Sequence, residues 1–476
     1  GELATAMDER VFLEKLKKLK SSYVDAFARQ LNEPDGKVDM RLRPMYGFFK
    51  VLSGRSNSEK PSLQQVPQHS ANAKYIKRMF APEQGKLIVK MDYSAHEVRG
   101  WSIISHDKLL AELFAIGRRI RQSYRATGKK KYALELQLKG DVHKLNVEFF
   151  FGTPIDKVTK EERNAIKGVV FGAIYGKSYK TLAKDLKKDD SFTKDLYDRF
   201  FARFKKAAAW LEWAKAFGKK NLFVKSALGR RRHLFGHLIG DKGVSAAMDR
   251  RAMNSPIQGM GADFGHTGSR ITEMHLYEYL QKVGELDEDS THCPIGTEIM
   301  VHDSIFSSAP LKHILATAQI MQWCTTLGVQ AYYDKYFDLK FTVPVEIEME
   351  FGASQDATYK WDWSNSGYDP QIHEWNEDSL AYHGYKLKSY DKESGAYRVK
   401  KDGETLEGKA IKDGFFSIEE AIRLSLQDHA KIYPDLDPEK EFKRVFKDWE
   451  ISKTKKYLDK HYPILDNYKE EYKECV

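Results

Sequence analysis

The sequence has few cysteines and no long hydrophobic run. Its 476 residues include three cysteines, Cys293, Cys324 and Cys475, and no two of them form a CxxC pair. Three cysteines cannot cross-link a chain of this length, so we expect a reducing compartment and no structural zinc. No apolar stretch approaches about 18 residues, which excludes a transmembrane helix and predicts no membrane partner. The first residues, GELATAMDERVFLEKLKK, also lack the apolar core of a signal peptide.

Basic residues, in contrast, are in excess. Lys and Arg number 78 and Asp and Glu number 68, a formal net charge of +10. Residues 364–476 contain 20 basic and 24 acidic residues, a net of −4, so the first 363 residues carry +14. Such an excess favours a polyanionic partner for the first part of the chain. The length predicts two to four domains, and 41% hydrophobic residues exclude a wholly disordered chain.

Hydrophobic periodicity predicts a mixture of helices and short strands. The predicted helical segments are 8–31, most of 107–225, 417–431 and 438–460. The predicted strands are 86–92, two within 298–308 around a turn at His302 and Asp303, 341–350, and a hairpin over 385–401. The turn residues Glu33 to Gly36 are expected to end the first helix.

Two aspartates lie where predicted strands end. Asp92 closes the strand 86–92, and Asp303 lies at the tip of the predicted hairpin beside His302. Taken singly, each is more often an ordinary surface or turn residue. If the two strand ends meet in one sheet, however, the two carboxylates could hold two metal ions that align a hydroxyl with a phosphoryl group.

A third candidate for a functional site is a ladder of side chains, spaced four residues apart, in the segment 162–178. The ladder consists of Arg163, Lys167, Phe171 and Tyr175. On a helix these residues share one side, where the cations suit a triphosphate and the rings suit a base. Gly168, Gly172 and Gly176 each cost a helix about 1 kcal/mol, so we expect something to approach the backbone closely there. The alternative is an amphipathic helix with a charged end.

Clusters of basic residues are the last candidate for a functional site. They comprise Arg118, Arg119, Arg121, Arg125 and Lys129 to Lys131 around Tyr124, and Arg230, Arg231 and Arg232. A run of charge is commonly a solvated face. The basic balance of the first 363 residues nevertheless favours contacts with a phosphate backbone.

In this order, the motifs resemble those of the family A DNA polymerases, the group of bacterial DNA polymerase I and many phage replicases. DYSAHEVRG is similar to the family's motif A, RNAIKGVVFGAIYG to motif B and VHDSI to motif C, and SGRSNSEKPSLQQVP at 53–67 and RAMNSPIQGMGAD at 251–263 agree as well. The resemblance covers roughly residues 10–363. It implies an α/β (α+β) right-hand polymerase with an antiparallel-sheet palm, helical fingers, a truncated thumb and a small C-terminal α+β extension. The implied domains are a thumb helix at 1–36, palm at 37–106 and 226–363, fingers at 107–225, and an extension at 364–476.

The resemblance also implies roles by position. Asp92 and Asp303, with the carbonyl of Tyr93, would bind two Mg²⁺ ions, with Mn²⁺ as a substitute. Arg163 and Lys167 would bind the triphosphate as catalytic residues, and His143 would contact a phosphate. Phe171 would pack on the incoming nucleotide and Tyr175 would lie near the templating base. Glu97 would be the steric gate against a 2′-hydroxyl. The expected DNA contacts are Arg55, Gln64, Arg250, Asn254, Gln258 and His302.

Several positions depart from the family pattern. Ala95 and His96 stand where motif A usually has Gln-Ile, and Ser304 stands where motif C usually has Glu after Asp. We therefore expect metal binding to rest on Asp92 and Asp303 alone. The basic segment 117–140 is expected to be an insertion, and the extension is either a packing appendage or a module for processivity or partner docking.

The implied function is template-directed DNA synthesis in replication, with primer–template DNA and deoxynucleoside triphosphates as partners. The chain is expected to lack most of the thumb and the exonuclease domain, which a separate polypeptide could supply. The expected location is the cytoplasm, that of the host if the protein is phage-encoded. Two alternatives remain, a single-subunit RNA polymerase and a catalytically silent nucleic-acid-binding subunit.

Overall fold

A five-stranded antiparallel sheet carries the predicted strand-end aspartates. The computed structural model describes residues 2–32, 40–47, 50–67, 73–127, 139–287, 293–361, 386–390, 396–401, 404–409, 418–451 and 453–463. The strands are β1 Met45–Gly47, β2 Asn57–Glu59, β3 Lys86–Tyr93, β4 Phe223–Lys225, β5 Arg231–His233, β6 Thr297–Val301, β7 Ser304–Pro310, β8 Ile347–Gly352, β9 Thr358–Trp361, β10 Lys386–Tyr390, β11 Ala396–Lys401 and β12 Glu404–Lys409. The central sheet has the order β6-β7-β3-β8-β9, which places β3 in the middle.

Helices make up most of the remaining described chain. They are α1 Glu2–Leu19, α2 Asp25–Leu31, α3 Ala73–Lys77, α4 His96–Ser105, α5 Lys108–Thr127, α6 Val142–Phe151, α7 Lys160–Ile174, α8 Tyr179–Leu186, α9 Asp190–Arg203, α10 Lys205–Asn221, α11 Lys242–Lys282, α12 Ile314–Trp323, α13 Val329–Phe337, α14 Ile418–Ile432, α15 Pro438–Ile451 and α16 Lys453–His461. The mixture of helices with an antiparallel sheet agrees with the predicted fold class. No helix in these ranges is both long and apolar enough to cross a membrane.

Strand β3 separates a buried face from a polar face. Leu87, Val89 and Met91 are fully buried, and α12 packs against the strand. Successive residues of a strand point to opposite sides, so the even-numbered residues Lys90 and Asp92 lie on the other face. The apolar alternation in KLIVKMD thus buries one side of the strand and leaves Asp92 on the polar side, at the end of the strand.

The helices of the C-terminal region join the main core. Ile422 and Leu426 of α14 are fully buried in the same apolar cluster as β3, and α14 packs on β8 and β9. Tyr359 Oη donates a hydrogen bond to Asp428 Oδ2 over 2.6 Å, and Gln319 Nε2 donates one to Asp459 Oδ1 over 3.0 Å. For these helices, the packing agrees with the appendage alternative.

Most predicted elements are present, with shifted boundaries. The strand predicted over 341–350 starts only at Ile347, which pairs with Tyr93, the last residue of its partner β3. The helix predicted over 438–460 is two helices, and the predicted hairpin has a third strand, β12. The turn at Glu33 to Gly36 lies outside the described residues.

The helical segment at the start of the chain packs along only part of its length. Phe27 is buried against Leu63, Val66 and Ile76, whereas the side chain of Phe12 is 53% exposed. Among the described residues, the apolar side chains of this segment are therefore covered near its C-terminal end only.

Candidate active site

The structure brings Asp92 and Asp303 to neighbouring strand ends. Asp92 in β3 pairs with Ser304, the first residue of β7. The backbone amide of Tyr93 donates a hydrogen bond to the carbonyl oxygen of Asp303 over 3.1 Å. The turn between β6 and β7 is tight because His302 adopts a left-handed conformation, with φ of 53°. Two carboxylates from distant parts of the sequence therefore meet at one end of the sheet.

The environment of Asp92 is rich in negative charge. Burial raises the pKa of Asp92 above its usual range, and the charges of Asp303 and Glu348 act in the same direction. The hydrogen bond from Ser304 Oγ and the charge of Lys90 oppose this increase. Neighbouring carboxylate oxygens suit a hard divalent cation, which would favour their ionised forms. Across the described residues, however, no group of three or more His, Cys, Asp or Glu side chains is already arranged as a metal site.

Glu97 connects three parts of the candidate site. It lies in the first turn of α4 and its side chain is buried. Arg55 Nη2 donates a hydrogen bond to Glu97 Oε1 over 2.6 Å, and Tyr175 Oη donates one to Glu97 Oε2 over 2.6 Å. Burial raises the pKa of Glu97, although both partners counteract the rise. The carboxylate is therefore held in one orientation beside the residue that follows α7.

The predicted ladder lies on and just after α7. Thr159 and Glu162 form a capping box that starts the helix. The rings of Phe171 and Tyr175 lie 6.2 Å apart at an interplanar angle of 19°. Lys167 Nζ lies 5.7 Å from the centre of the Phe171 ring. The cations and the aromatic rings thus follow one another along one side, as the spacing predicted.

Asp141 orients the cationic end of this ladder, a role that was not predicted. Its Oδ2 accepts a hydrogen bond from Arg163 Nε over 2.6 Å. Its Oδ1 accepts the backbone amide hydrogens of His143 and Lys144, over 2.8 and 3.3 Å, which caps α6. An Asp just before a helix was the available signal in the sequence. One carboxylate therefore links the start of α6 to α7.

His143 lies behind the ladder in a buried position. Its ring centre is 6.3 Å from that of Phe171, and the side chain is buried. The pKa of His143 is lowered to about 4, chiefly by burial, while the charge of Asp141 raises it and the charges of Arg163 and Lys167 lower it. The imidazole is therefore neutral at neutral pH and can offer a hydrogen bond but no positive charge.

The predicted DNA contacts occupy two regions, one beside Tyr175 and one beside β6. A cavity of about 380 Å³ is lined by Leu52, Ser53, Tyr175, Arg232, Ala247, Arg250, Arg251, Asn254, Ser255 and Gln258. Gln258 also hydrogen-bonds to the Tyr175 side chain. Gln64 lies beside β6, where its Nε2 donates to the carbonyl oxygen of Met300 over 3.0 Å. His302 is exposed at the hairpin turn.

Some of the predicted basic side chains are used within the fold. Arg230 pairs with the buried Asp263, although its own side chain is 37% exposed, and Arg118 is buried. The guanidinium of Arg231 lies 4.9 Å from the centre of the Phe223 ring. The side chains of Arg121, Tyr124, Arg125 and Lys129 to Lys131 lie outside the described residues.

Known proteins resemble most of this chain. The model for DNA polymerase family A matches residues 8–357. DNA polymerase I, thermostable, of Thermus aquaticus is 26% identical over 341 residues, covering 72% of this chain and 35% of that protein. DNA polymerase I of Chloroflexus aurantiacus is 28% identical over 343 residues, covering 72% and 31%. The chain therefore spans about a third of the length of these relatives.

A solved structure of a DNA polymerase domain is also similar to this chain. The POL domain of Pol1 from M. smegmatis, in complex with DNA primer-template and dNTP, matches with a TM-score of 0.57 and 25% identity. The match covers 72% of this chain and 52% of that chain. On the family match, which takes in the strand-end aspartates and the ladder, this chain belongs to DNA polymerase family A.

Proposed function

We propose that this chain is a template-directed DNA polymerase, which adds deoxynucleotides to the 3′ end of a primer. The observation that carries the proposal is the pairing of β3 with β7, which sets Asp92 beside the Asp303 turn. The Pol1 domain of M. smegmatis, described with DNA primer-template and dNTP, supports these substrates. Catalysis is proposed to be a phosphoryl transfer that releases pyrophosphate.

Family A DNA polymerases use divalent metal ions, and the oxygen donors here suit them. We assign two Mg²⁺ ions, with Mn²⁺ as a substitute, to Asp92, Asp303 and the carbonyl of Tyr93. When bound, such ions activate the attacking hydroxyl and stabilise the leaving oxygens. Asp92 lies near the end of β3 and Asp303 in the turn before β7, and the β3–β7 pairing holds these two segments together.

The α7 ladder is proposed to bind the incoming nucleotide. Arg163 and Lys167 would hold the triphosphate and stabilise its charge, while neutral His143 would donate a hydrogen bond to a phosphate oxygen. Phe171 would pack on the nucleotide and Tyr175 near the templating base. Because Asp141 holds the Arg163 guanidinium, less orientational freedom is lost when a triphosphate binds.

Glu97 is proposed to exclude ribonucleotides. Its carboxylate is buried and fixed by Arg55 and Tyr175, so it cannot move aside easily for a 2′-hydroxyl. This favours a DNA polymerase over the single-subunit RNA polymerase alternative. The presence of both Asp92 and Asp303 argues against a catalytically silent subunit.

The proposed DNA surface comprises the cavity beside Tyr175 and the residues beside and just after β6. Its side chains are Arg55, Gln64, Arg250, Asn254, Gln258 and His302. Amide and guanidinium groups can donate to the minor-groove acceptors that all base pairs share, so such contacts would not select sequence. We propose that the palm comprises 37–106 and 226–363, the fingers 107–225 and the thumb helix 1–36.

A partner polypeptide is proposed for the first helix. Val11, Phe12 and Leu13 of α1 are each about half exposed, which is unfavourable for an isolated apolar surface. A thumb or exonuclease polypeptide, or a processivity factor, would cover them. Co-purification from the native source tests this assignment, and full processivity of the chain alone would argue against it.

Primer extension by the full chain with Mg²⁺ tests the central proposal. Asp92→Asn and Asp303→Asn should each reduce extension by at least about a thousandfold, because each removes an anionic metal ligand, while duplex binding by fluorescence anisotropy stays within about twofold. Extension at wild-type rates by either variant would refute the proposal. Offering ribonucleotides instead of deoxynucleotides in the same assay separates the DNA polymerase from the RNA polymerase alternative.

A further inference from the structure

Three glutamates lie in or just before strand β8, and two of them, Glu348 and Glu350, share a face of the sheet with Asp92. Glu346 pairs with Arg99, whose side chain is buried, and also lies beside the end of β3. Glu350 is itself buried and accepts a hydrogen bond from Lys90 over 2.9 Å. Both of these glutamates therefore neutralise a cation within the fold. The one between them, Glu348, has a different position.

Glu348 lies directly opposite Asp92 in the β3–β8 register. Side chains in such cross-strand pairs are immediate neighbours, with Cβ atoms about 4.5–5.5 Å apart. On the other side of Asp92, the paired residue is Ser304, whose hydroxyl donates to Asp92 Oδ1 and supplies no negative charge. The residues in register across β7, β3 and β8 are therefore Ser304, Asp92 and Glu348. The second carboxylate in this row comes from β8 and not from β7.

The present partner of Glu348 is exchangeable. Lys360 Nζ donates to Glu348 Oε2 over 2.5 Å, and the two side chains are 45% and 32% exposed. Ion pairs with this much solvent access contribute little to stability. Turning Glu348 away from Lys360 would therefore cost little, whereas a divalent cation beside Asp92 would attract a third carboxylate strongly.

We propose that Glu348 is a third carboxylate of the metal site and supplies the negative charge that Ser304 lacks. The proposal rests on the function assigned to Asp92 and Asp303. In this structure Glu348 is turned to Lys360, which agrees with the absence of a ready three-residue metal group among the described side chains. The glutamate joins the site when a divalent ion binds, and Lys360 then remains in solvent.

Binding of Mn²⁺ to the full chain, followed by electron paramagnetic resonance of the free ion, tests this role without using activity. Glu348→Gln should weaken Mn²⁺ binding about tenfold, the loss typical when a supporting group of a metal site is removed. Lys360→Met breaks the same ion pair but leaves the carboxylate, so it should bind Mn²⁺ as tightly as the wild type or more tightly. Ser304→Glu in the Glu348→Gln chain should restore binding.

Asp92→Asn separates failure of the inference from failure of the function. If Asp92→Asn loses Mn²⁺ binding and Glu348→Gln binds as the wild type does, the third carboxylate is refuted and the polymerase assignment stands. Equal weakening by Glu348→Gln and Lys360→Met would also refute it, because the ion pair alone would then explain the effect. Wild-type binding by Asp92→Asn would overturn the metal site and, with it, both proposals.

Discussion

Asp141 shows how one carboxylate can serve a helix and a binding site together. It is largely buried, which raises its pKa, but the hydrogen bond and charge of Arg163 more than compensate and leave the pKa below its usual value. The ionised group therefore keeps both acceptors available, one for the amides that start α6 and one for Arg163. Asparagine can replace the first function but not the second.

Asp141→Asn should accordingly raise the KM for deoxynucleoside triphosphates about tenfold, equivalent to roughly 1.4 kcal/mol, with a smaller change in stability. Arg163 loses its charged partner while the helix cap remains. Steady-state single-nucleotide incorporation measures the effect. Asp141→Ala is the matched comparison and should also lower the thermal midpoint, because the cap is lost. An unchanged KM for Asp141→Asn would show that Asp141 does not orient Arg163.

At the scale of the elements, the glycines of helix α7 are required by packing against neighbouring helices and not by a bound ligand. A Cβ atom at Gly172 would lie 2.6 Å from Tyr197 Oη of α9, and one at Gly168 would lie 3.2 Å from Leu186 Cδ2 of α8. The groups that approach the backbone of α7 closely, as expected from its glycines, are therefore side chains of the neighbouring helices α8 and α9. Tyr197 Oη also donates a hydrogen bond to the carbonyl oxygen of Lys177 over 3.0 Å, which ties α9 to the end of α7.

We expect Gly172→Ala to destabilise the protein by about 1–3 kcal/mol despite the better helix propensity of alanine, since the added methyl group overpacks the contact with α9. Urea denaturation measures the change. Tyr197→Phe removes the clashing oxygen. Gly172→Ala should therefore cost much less stability when added to Tyr197→Phe than when added to the wild type. Gly172→Ala with wild-type stability would mean that α9 moves freely away from α7.

At the scale of the whole molecule, the sheet is covered on its apolar face by segments from very different parts of the chain. Helix α12 packs on β3, and α14 packs beside it on β8 and β9. Leu458 and Tyr462 near the end of the described chain lie in the same buried cluster. The C-terminal helices therefore stabilise the sheet whose other face carries Asp92 and Glu348.

Leu426→Ala, in the centre of α14, should destabilise the protein by about 2–5 kcal/mol, as is usual for a buried leucine. Ile432→Ala in the same helix is the control, because its side chain is 43% exposed and should cost much less. Thermal and urea unfolding compare the two. Similar, small effects would indicate that α14 contributes little to the stability of the core.

Local patterns made much of the candidate site predictable. Asp92 and Asp303 could be placed at strand ends because alternation and turn residues are local signals, and the ladder followed from helical spacing alone. The partner of Arg163, the buried state of His143 and the internal use of Arg118 and Arg230 were not predictable. Each depends on which distant segment packs against the residue, and composition carries no such information.

Family membership, the metal-binding aspartates as candidates and the helical ladder could all be inferred from the amino-acid order, since each rests on residues close together in the chain. The neighbours of Asp92 required the folded sheet. A shift of one residue in the β3–β8 register would turn Glu348 to the opposite face, so its position beside Asp92 exists only in the assembled strands. Packing also made the C-terminal helices part of the core.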